Sequence, residues 1–588
     1  MESLSGGFLW DDHSLIQNDE YVKGIDTIPY LFSPQYWLFH HGGSKGQYRP
    51  LRGVTFSITY ALLGSDPLPY RAFNLFFYIL DCILVFFLTL RLFRDETVAI
   101  IATSLFALHP VHVETVCWIK NRSEIMSMGF FLLSWLILSH IWEHRGRRWS
   151  WIVVSVFIFA LALLSKEMAM TFPICLSAWI ILARREERSF PPEVLIPFYC
   201  LLGIYVAYLL IFLHPLRSDL PDIEFDLASK ISLFFKTFHH YASKAILPIE
   251  LNPDYSFQYP GSIYDGGALG GVIIFISILY LILIISRKEP WISFSIAFFV
   301  ITLIPVLNLK VLGGRPVADQ RLFLPSVGLC WLISILIGKI RLRVISFSIT
   351  AGILIFYGFM TLREIPIWYD DFTLFKETVK RSPQLERPHY NLGTAYGEMG
   401  MLREAEAEFI KALMIRPDHA QSYMGLGKIY EKKGKGNLAI NYYKKALDID
   451  PNLIEARNSL GRIYMEEGRL SIARNEFNAS IRSDPKGIVA HMAIAEIDQK
   501  EGKLEDAINA YRMVLSIRPN HIGAMKKMGE VLIKLGRYTE AIPLYQRLLR
   551  INPGDMDVMR DLGFSYNKVG LHELATQIFR EAVERYPE

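Results

Sequence analysis

Residues 400–417 read GMLREAEAEFIKALMIRP, residues 434–451 read GKGNLAINYYKKALDIDP, and residues 468–485 read GRLSIARNEFNASIRSDP. Each stretch opens on glycine, closes on proline, has alanine at its sixth position and places an aromatic four residues later. The phase extends in both directions. Prolines recur every 34 residues at Pro383, Pro417, Pro451, Pro485, Pro519, Pro553 and Pro587, and glycines at Gly400, Gly434, Gly468, Gly502, Gly536 and Gly570. Ala405, Ala439, Ala473, Ala507, Ala541 and Ala575 are followed by Phe409, Tyr443, Phe477, Tyr511, Tyr545 and Phe579. A glycine permits the left-handed turn between two antiparallel helices, the alanine lets the pair approach, and the aromatic fills the gap behind it.

This is the tetratricopeptide (TPR) period, and six such helix pairs stack into a superhelix with a concave face suited to extended peptides. The plainer alternative is a spacer or dimerisation arm. Upstream of about residue 365 the chain changes character to long apolar runs broken by short basic clusters. Over all 588 residues hydrophobic types make up 52%, aromatics 13%, and mean hydropathy is +0.25, too apolar for one ordinary soluble protein. The net charge of +4 gives no sign of a nucleic-acid binder. Cys82, Cys117, Cys175, Cys200 and Cys330 lie in or beside apolar runs without CxxC spacing, so they mark neither a disulfide framework nor a metal site.

A membrane-spanning helix needs roughly 20 mostly apolar residues. Ten segments qualify by sequence: 71–91, 97–116, 124–142, 150–164, 168–183, 194–213, 267–285, 291–308, 322–338 and 344–362. Lysine and arginine favour the cytoplasmic side. Arg91 and Arg94; Arg145, Arg147 and Arg148; Arg184, Arg185 and Arg188; Arg287 and Lys288; and Lys339, Arg341 and Arg343 all fall in alternate loops of this count. One topology therefore accommodates them all. Residues 1–70, the loops 117–123, 165–167, 214–266 and 309–321, and everything after 362 are expected outside. Segment 231–248 carries Lys236, His239, His240 and Lys244 and reads as an interfacial helix. The expected fold is all-α: an extracytoplasmic N-terminal segment (1–70), a polytopic membrane domain (71–362), a linker (363–382) and a TPR solenoid (383–588). No apolar run precedes residue 54, so we expect an in-frame apolar stretch upstream of Met1 to anchor the N-terminal segment.

Polar residues at the outer surface are where chemistry is sought, because ionisable groups at membrane depth are costly. Five clusters stand there. Trp10-Asp11-Asp12, followed by Asn18 and Asp19, pairs two carboxylates fit for a general base and its partner, or for a helix cap. Tyr48-Arg49-Pro50-Leu51-Arg52 offers two guanidinium groups for a phosphate, or two snorkelling arginines. His109, His112 and Glu114 are completed by Lys120, Asn121, Arg122 and Glu124, and Pro110 breaks the helical register that a zinc pair uses. Ser165-Lys166-Glu167 and Asp319-Gln320-Arg321 close the set, each readable alone as a helix-end ion pair.

The ordered series WDDHSLIQND, YRPLRGVTF, ALHPVHVETVCWIKNRSE, LLSKE, LNPDYSF, VADQRLFLPS and IWYDDFTLF, followed by TPRs, resembles the TMTC-type proteins, which are transmembrane, TPR-containing O-mannosyltransferases of the GT-C class. The resemblance implies an integral-membrane glycosyltransferase that takes a sugar, typically mannose, from a polyprenyl-phosphate carrier. It would place that sugar on Ser or Thr of a protein outside the cytoplasm. It further implies that the acidic motif of the first outer loop acts at the acceptor hydroxyl, which is Asp11 or Asp12 here, with Asp11 preferred as the first acidic position. For a bacterial-type relative the TPR domain is expected in the periplasm rather than the lumen of the endoplasmic reticulum.

The chemistry also follows from the residues. An inverting transfer needs a carboxylate to take the acceptor proton and cations to stabilise the departing lipid phosphate. Asp11 or Asp12 suits the first role. Arg49, Arg52, Arg122, Lys166 and Arg321 suit the second, while His109, His112 and Glu114 are expected to line the sugar pocket, with Glu124, Glu167 and Asp319 beside them. Positive side chains can stand in for a divalent metal at the phosphate, so no metal is expected. Two rivals remain open at this level: a non-catalytic membrane-anchored TPR scaffold, and a ligase or polymerase acting on lipid-linked glycans.

Overall fold

Each of the ten apolar segments is largely helical over its described residues. The computed structural model describes residues 4–34, 36–37, 48–141, 148–183, 192–212, 226–257, 265–307, 315 and 317–585. Arg145, Arg147, Arg184, Arg185, Arg188, Pro587 and most of loop 309–321 lie outside the described residues. Among those described there is no strand. The chain divides into two units, Met1–Pro388 and His389–Glu588.

The first unit contains α1 (Pro50–Leu63), α2 (Pro67–Phe93), α3 (Glu96–Leu108), α4 (Val113–Cys117), α5 (Arg122–Ile141), α6 (Arg148–Ser165), α7 (Phe172–Ala183), α8 (Ile196–Phe212), α9 (Leu227–Ile246), α10 (Gly266–Ile285), α11 (Pro290–Leu303), α12 (Pro325–Gly338), α13 (Arg343–Glu364) and α14 (Asp371–Arg381). By length and apolarity, α2, α10 and the helical stretches Glu193–Phe212 and Arg343–Trp368 can each cross a membrane, and α3 with the bent segment after it makes a fifth. Trp149–Ser165, Glu167–Leu182, Pro290–Val306 and Pro325–Gly338 are apolar but shorter. The chain is thus a multi-pass helical membrane protein.

Segment 97–116, read as one span, bends by 52°. The residue before a proline is pushed to extended backbone, and His109 at ψ 121° ends α3 ahead of Pro110. The His109 ring then accepts the Val111 N–H (3.4 Å), which starts the next turn. The core is aromatic: Trp135 packs on Trp179, Phe172, Phe294 and Phe298, and Trp331 on Phe294 and Phe298. The expected interfacial segment is α9, an amphipathic helix packed along α10, where a Cβ on Gly271 would collide with the Phe235 carbonyl. Within the N-terminal segment the chain also forms short helical turns and α1, which buries Arg52.

After Leu402–Ile415 the second unit is a run of antiparallel helix pairs, from Ala420–Lys432 with Gly436–Ile449 to Met556–Lys568 with His572–Arg585. All six turn glycines adopt left-handed backbone, with φ between 70° and 81°. The repeat alanines are buried, as are Phe409, Tyr443, Phe477, Tyr511 and Tyr545. Phe579, in the helix His572–Arg585, is 40% exposed.

Candidate active site

The N-terminal segment is held from two sides. Gly7 N–H donates to the Tyr369 carbonyl (3.0 Å), and the Arg71 guanidinium donates to the carbonyls of Gly7 (2.6 Å) and Trp368 (3.1 Å). A side chain on Gly6 would strike the Tyr369 carbonyl and Arg71, so only glycine lets the chain pass. Trp118 donates its indole N–H to the Leu9 carbonyl (3.2 Å) and stacks on Trp10 with ring centroids 5.2 Å apart.

This arrangement divides the two adjacent carboxylates. Asp12 is fully buried and accepts the backbone N–H groups of Lys120 (2.8 Å) and Leu9 (3.1 Å), so it ties the acidic segment to the 117–123 loop. Burial raises its pKa, the two N–H groups hold it down, and it lies at about 7. Asp11 is partly exposed and forms an ion pair with Lys120. Burial pushes its carboxyl up, but Lys120, with Arg315 and Arg52, outweighs that effect and keeps it below the ordinary range. Asp11 is the carboxylate that is both ionised and reachable.

The predicted cations separate in the same way. Arg49 makes a two-pronged contact to Glu167 (2.7 and 3.3 Å), and Lys166 pairs with Glu124. Arg49, Arg321 and Lys120 act as like charges on Lys166, adding to a burial effect that holds its pKa well down, against the opposing pull of Glu167. Arg321 donates to the Tyr241 hydroxyl (3.4 Å) and the Arg315 carbonyl (3.1 Å). Arg52 lies fully buried over the Trp37 ring at 5.8 Å, close enough to Asp11 to favour its charge. Arg122 is fully buried and donates to Asn74 (3.0 Å), Thr59 (3.3 Å) and the Tyr70 carbonyl (2.9 Å), with the Phe56 ring 4.8 Å away. Its guanidinium is engaged in joining α1, α2 and α5.

His109 and His112 are buried, and their ring nitrogens meet protein groups. His109 faces the Ala245 carbonyl (3.1 Å), and His112 faces the hydroxyls of Tyr78 (3.0 Å) and Ser326 (2.9 Å). Glu114 accepts from Arg315 (2.9 Å) and the Gln320 N–H (3.3 Å). Asp319 accepts the Tyr255 hydroxyl (2.7 Å) and the Asn252 N–H (3.3 Å), and burial together with Glu114 raises its pKa. Glu114, Asp319 and Glu364 line a narrow cleft of about 10 Å³, room for a single water. Among the described residues no group of three or more His, Cys, Asp or Glu is arranged to hold a metal ion.

Sequence reasoning passed over Arg315, whose guanidinium sits 5.0 Å from the Trp10 ring and pairs with Glu114. It also left the second acidic pair, Asp370-Asp371, without a role. Asp370 caps α14 by accepting the Thr373 N–H (2.7 Å), while Asp371 reaches back to Trp10 and His13. The available signals were an arginine in an outer loop and a second Asp-Asp pair close behind a tryptophan, at 368–371.

The fold and the site together define a class: a multi-pass helical membrane protein with its polar residues gathered around loops, carrying a TPR solenoid. Residues 50–213 match the family model for dolichyl-phosphate-mannose-protein mannosyltransferase, and residues 384–452, 430–497 and 499–562 match tetratricopeptide repeat models. The chain is 27% identical over 440 residues to a protein O-mannosyl-transferase of Caenorhabditis elegans, covering 72% of this chain and 61% of that protein. It is 26% identical over 467 residues to protein O-mannosyl-transferase TMTC3 of Mus musculus, covering 72% and 50%. These matches bear out the resemblance to the TMTC-type family read from the motifs. The chain spans about half to three-fifths of the length of these curated relatives. Among solved structures, that of MamA protein is 27% identical and covers 28% of this chain and 90% of its own, with a TM-score of 0.27.

Proposed function

We propose that this chain is a membrane glycosyltransferase that moves a sugar, mannose in the first instance, from a polyprenyl-phosphate carrier to a Ser or Thr hydroxyl of an extracytoplasmic protein. The observation that carries the reading is an ionised, partly exposed Asp11 paired with Lys120, which is electrostatically linked to Lys166 and Arg49. The names of the relatives supply the sugar and the acceptor class.

In the proposed step the acceptor oxygen attacks the anomeric carbon and its proton passes to an Asp11 carboxylate oxygen. The bond from the anomeric carbon to the phosphate oxygen breaks, and the carrier leaves as polyprenyl phosphate. Arg49 and Lys120 meet the charge that develops on the phosphate, and the Lys166 amine donates a hydrogen bond to it. In this reading no divalent metal is required, and the N-terminal segment and the TPR domain share the extracytoplasmic side, the periplasm of a bacterium.

The direct test is to incubate the purified protein with a polyprenyl-phosphate mannose and an extracytoplasmic protein extract, with and without EDTA, and to look for hexose on Ser or Thr. We expect transfer in both. Lys166→Ala and Arg49→Ala should raise the KM for the lipid-linked sugar by roughly tenfold, the scale of one charge-assisted contact. Wild-type protein that transfers nothing yet recruits a partner would favour the scaffold instead. Hexose added only to glycans would favour the ligase or polymerase.

The solenoid is proposed to dock the acceptor or a partner. Its groove, about 540 Å³, is lined by polar Lys428 and Asn458 and by Val489 and Met492, and Val489 is 62% exposed. Val489→Asp combined with Met492→Asp should lower modification of a protein acceptor by about tenfold while leaving a short Ser/Thr peptide unaffected, because only the protein reaches the groove. Equal loss on both acceptors would remove the docking role.

A further inference from the structure

We propose that Asp371 is a positioning residue for Asp11, an inference that rests on the proposed transfer reaction. Two independent observations point to it. Trp10, immediately before Asp11, has φ 48°, the left-handed backbone that a bulky residue adopts only when its surroundings impose it. The surroundings that impose it are specific. The Trp10 N–H donates to one Asp371 carboxylate oxygen (2.8 Å), and the His13 ring Nε2 meets the other (3.0 Å), so one carboxylate holds the Trp10 backbone on one side of the Asp11-Asp12 pair and the His13 side chain on the other.

Aromatic contacts complete the clamp. The Trp10 ring lies between Trp118, stacked at 5.2 Å, and Phe375 of α14, edge-on at 5.4 Å. His13 also meets Gln17 (2.5 Å), and its pKa is raised to about 9, chiefly by the bond to Asp371, so it remains charged at neutral pH. Asp371 is the first residue of α14, and its neighbour Asp370 caps that helix. The carboxylate that fixes the acidic segment is thus itself fixed by a helix end. Without it, Trp10 relaxes to the negative φ that its side chain favours, and the Asp11 carboxylate turns with the backbone.

The test uses the full-length protein in detergent, comparing wild type, Asp371→Ala and Asp371→Asn. Asparagine keeps an oxygen to accept the Trp10 N–H but loses the charge opposite His13. In Asp371→Ala, kcat should fall by tenfold or more with the KM for polyprenyl-phosphate mannose within twofold of wild type, since Arg49 and Lys166 are held by other elements. Asp371→Asn should recover most of that loss. Hydrogen–deuterium exchange of residues 8–17 should rise in the alanine variant while the repeat helices stay unchanged. A kcat within twofold of wild type in Asp371→Ala, or unaltered exchange over residues 8–17, overturns the proposal. Should the wild type transfer no sugar, the proposed function fails, and the exchange comparison still decides by itself whether Asp371 holds the segment.

Discussion

Asp11→Asn is expected to cut the proposed sugar transfer by a factor of about 10² to 10⁴, the usual cost of losing a general base. The substitution keeps the size of the side chain and removes its charge. Asp11 lies partly exposed, and asparagine keeps an oxygen to accept from its partner Lys120, so membrane insertion and the thermal unfolding of both units should match wild type. Asp12→Asn should behave differently. Both Asp12 oxygens accept backbone N–H groups, and an amide offers one acceptor oxygen where the carboxylate offered two. Its lesion should appear first as loosening of residues 8–13 and only then as lost turnover. The measurement is single-turnover transfer alongside hydrogen exchange. Full activity in Asp11→Asn would exclude this carboxylate as the base.

Arg122→Ala is expected to destabilise the membrane unit by about 3 to 5 kcal/mol, because it strands buried acceptors and leaves a cavity. Asn74, Thr59 and the Tyr70 carbonyl each lose a donor, and the space against Phe56 opens. Arg122→Lys should recover only part of this, since an ammonium cannot span the three acceptors as the planar guanidinium does. A thermal unfolding series in detergent measures the effect. Unchanged unfolding combined with a raised donor KM would return Arg122 to the phosphate-binding role that its place in the sequence suggested.

That revision marks the division between what the chain states locally and what only packing decides. The repeat phase needed no structure. Glycine, alanine and aromatic recur within one helix pair, and a left-handed turn at Gly434 or a buried Tyr443 follows from neighbours less than half a repeat away. The apolar segments were legible for the same reason, since hydropathy is a property of consecutive residues. The bend in segment 97–116 was foreshadowed by Pro110, a local signal that the reading used only against a zinc register. Helix α1 was missed because its apolar run is short and two arginines flank Pro50 and Leu51, and burial of Arg52 depends on rings contributed elsewhere.

By itself the sequence determined that this is an all-helical, multi-pass membrane protein with a TPR arm, and that its acidic, basic and histidine motifs cluster in a few short stretches. Only the tertiary structure decided which member of each motif stays partly exposed beside a charged partner and which one is enclosed and braces the fold. Asp11 and Asp12 are adjacent and chemically identical, yet one meets the Lys120 ammonium and the other the Lys120 backbone. His13 and Asp371 are 358 residues apart and touch, while Arg122 sits one residue beyond the 119–121 turn and is wholly enclosed. The charge and size of a side chain are written in its own position, but its desolvation and its partners belong to whatever distant segment packs against it, and those two quantities set whether a carboxylate acts as a base or as a brace.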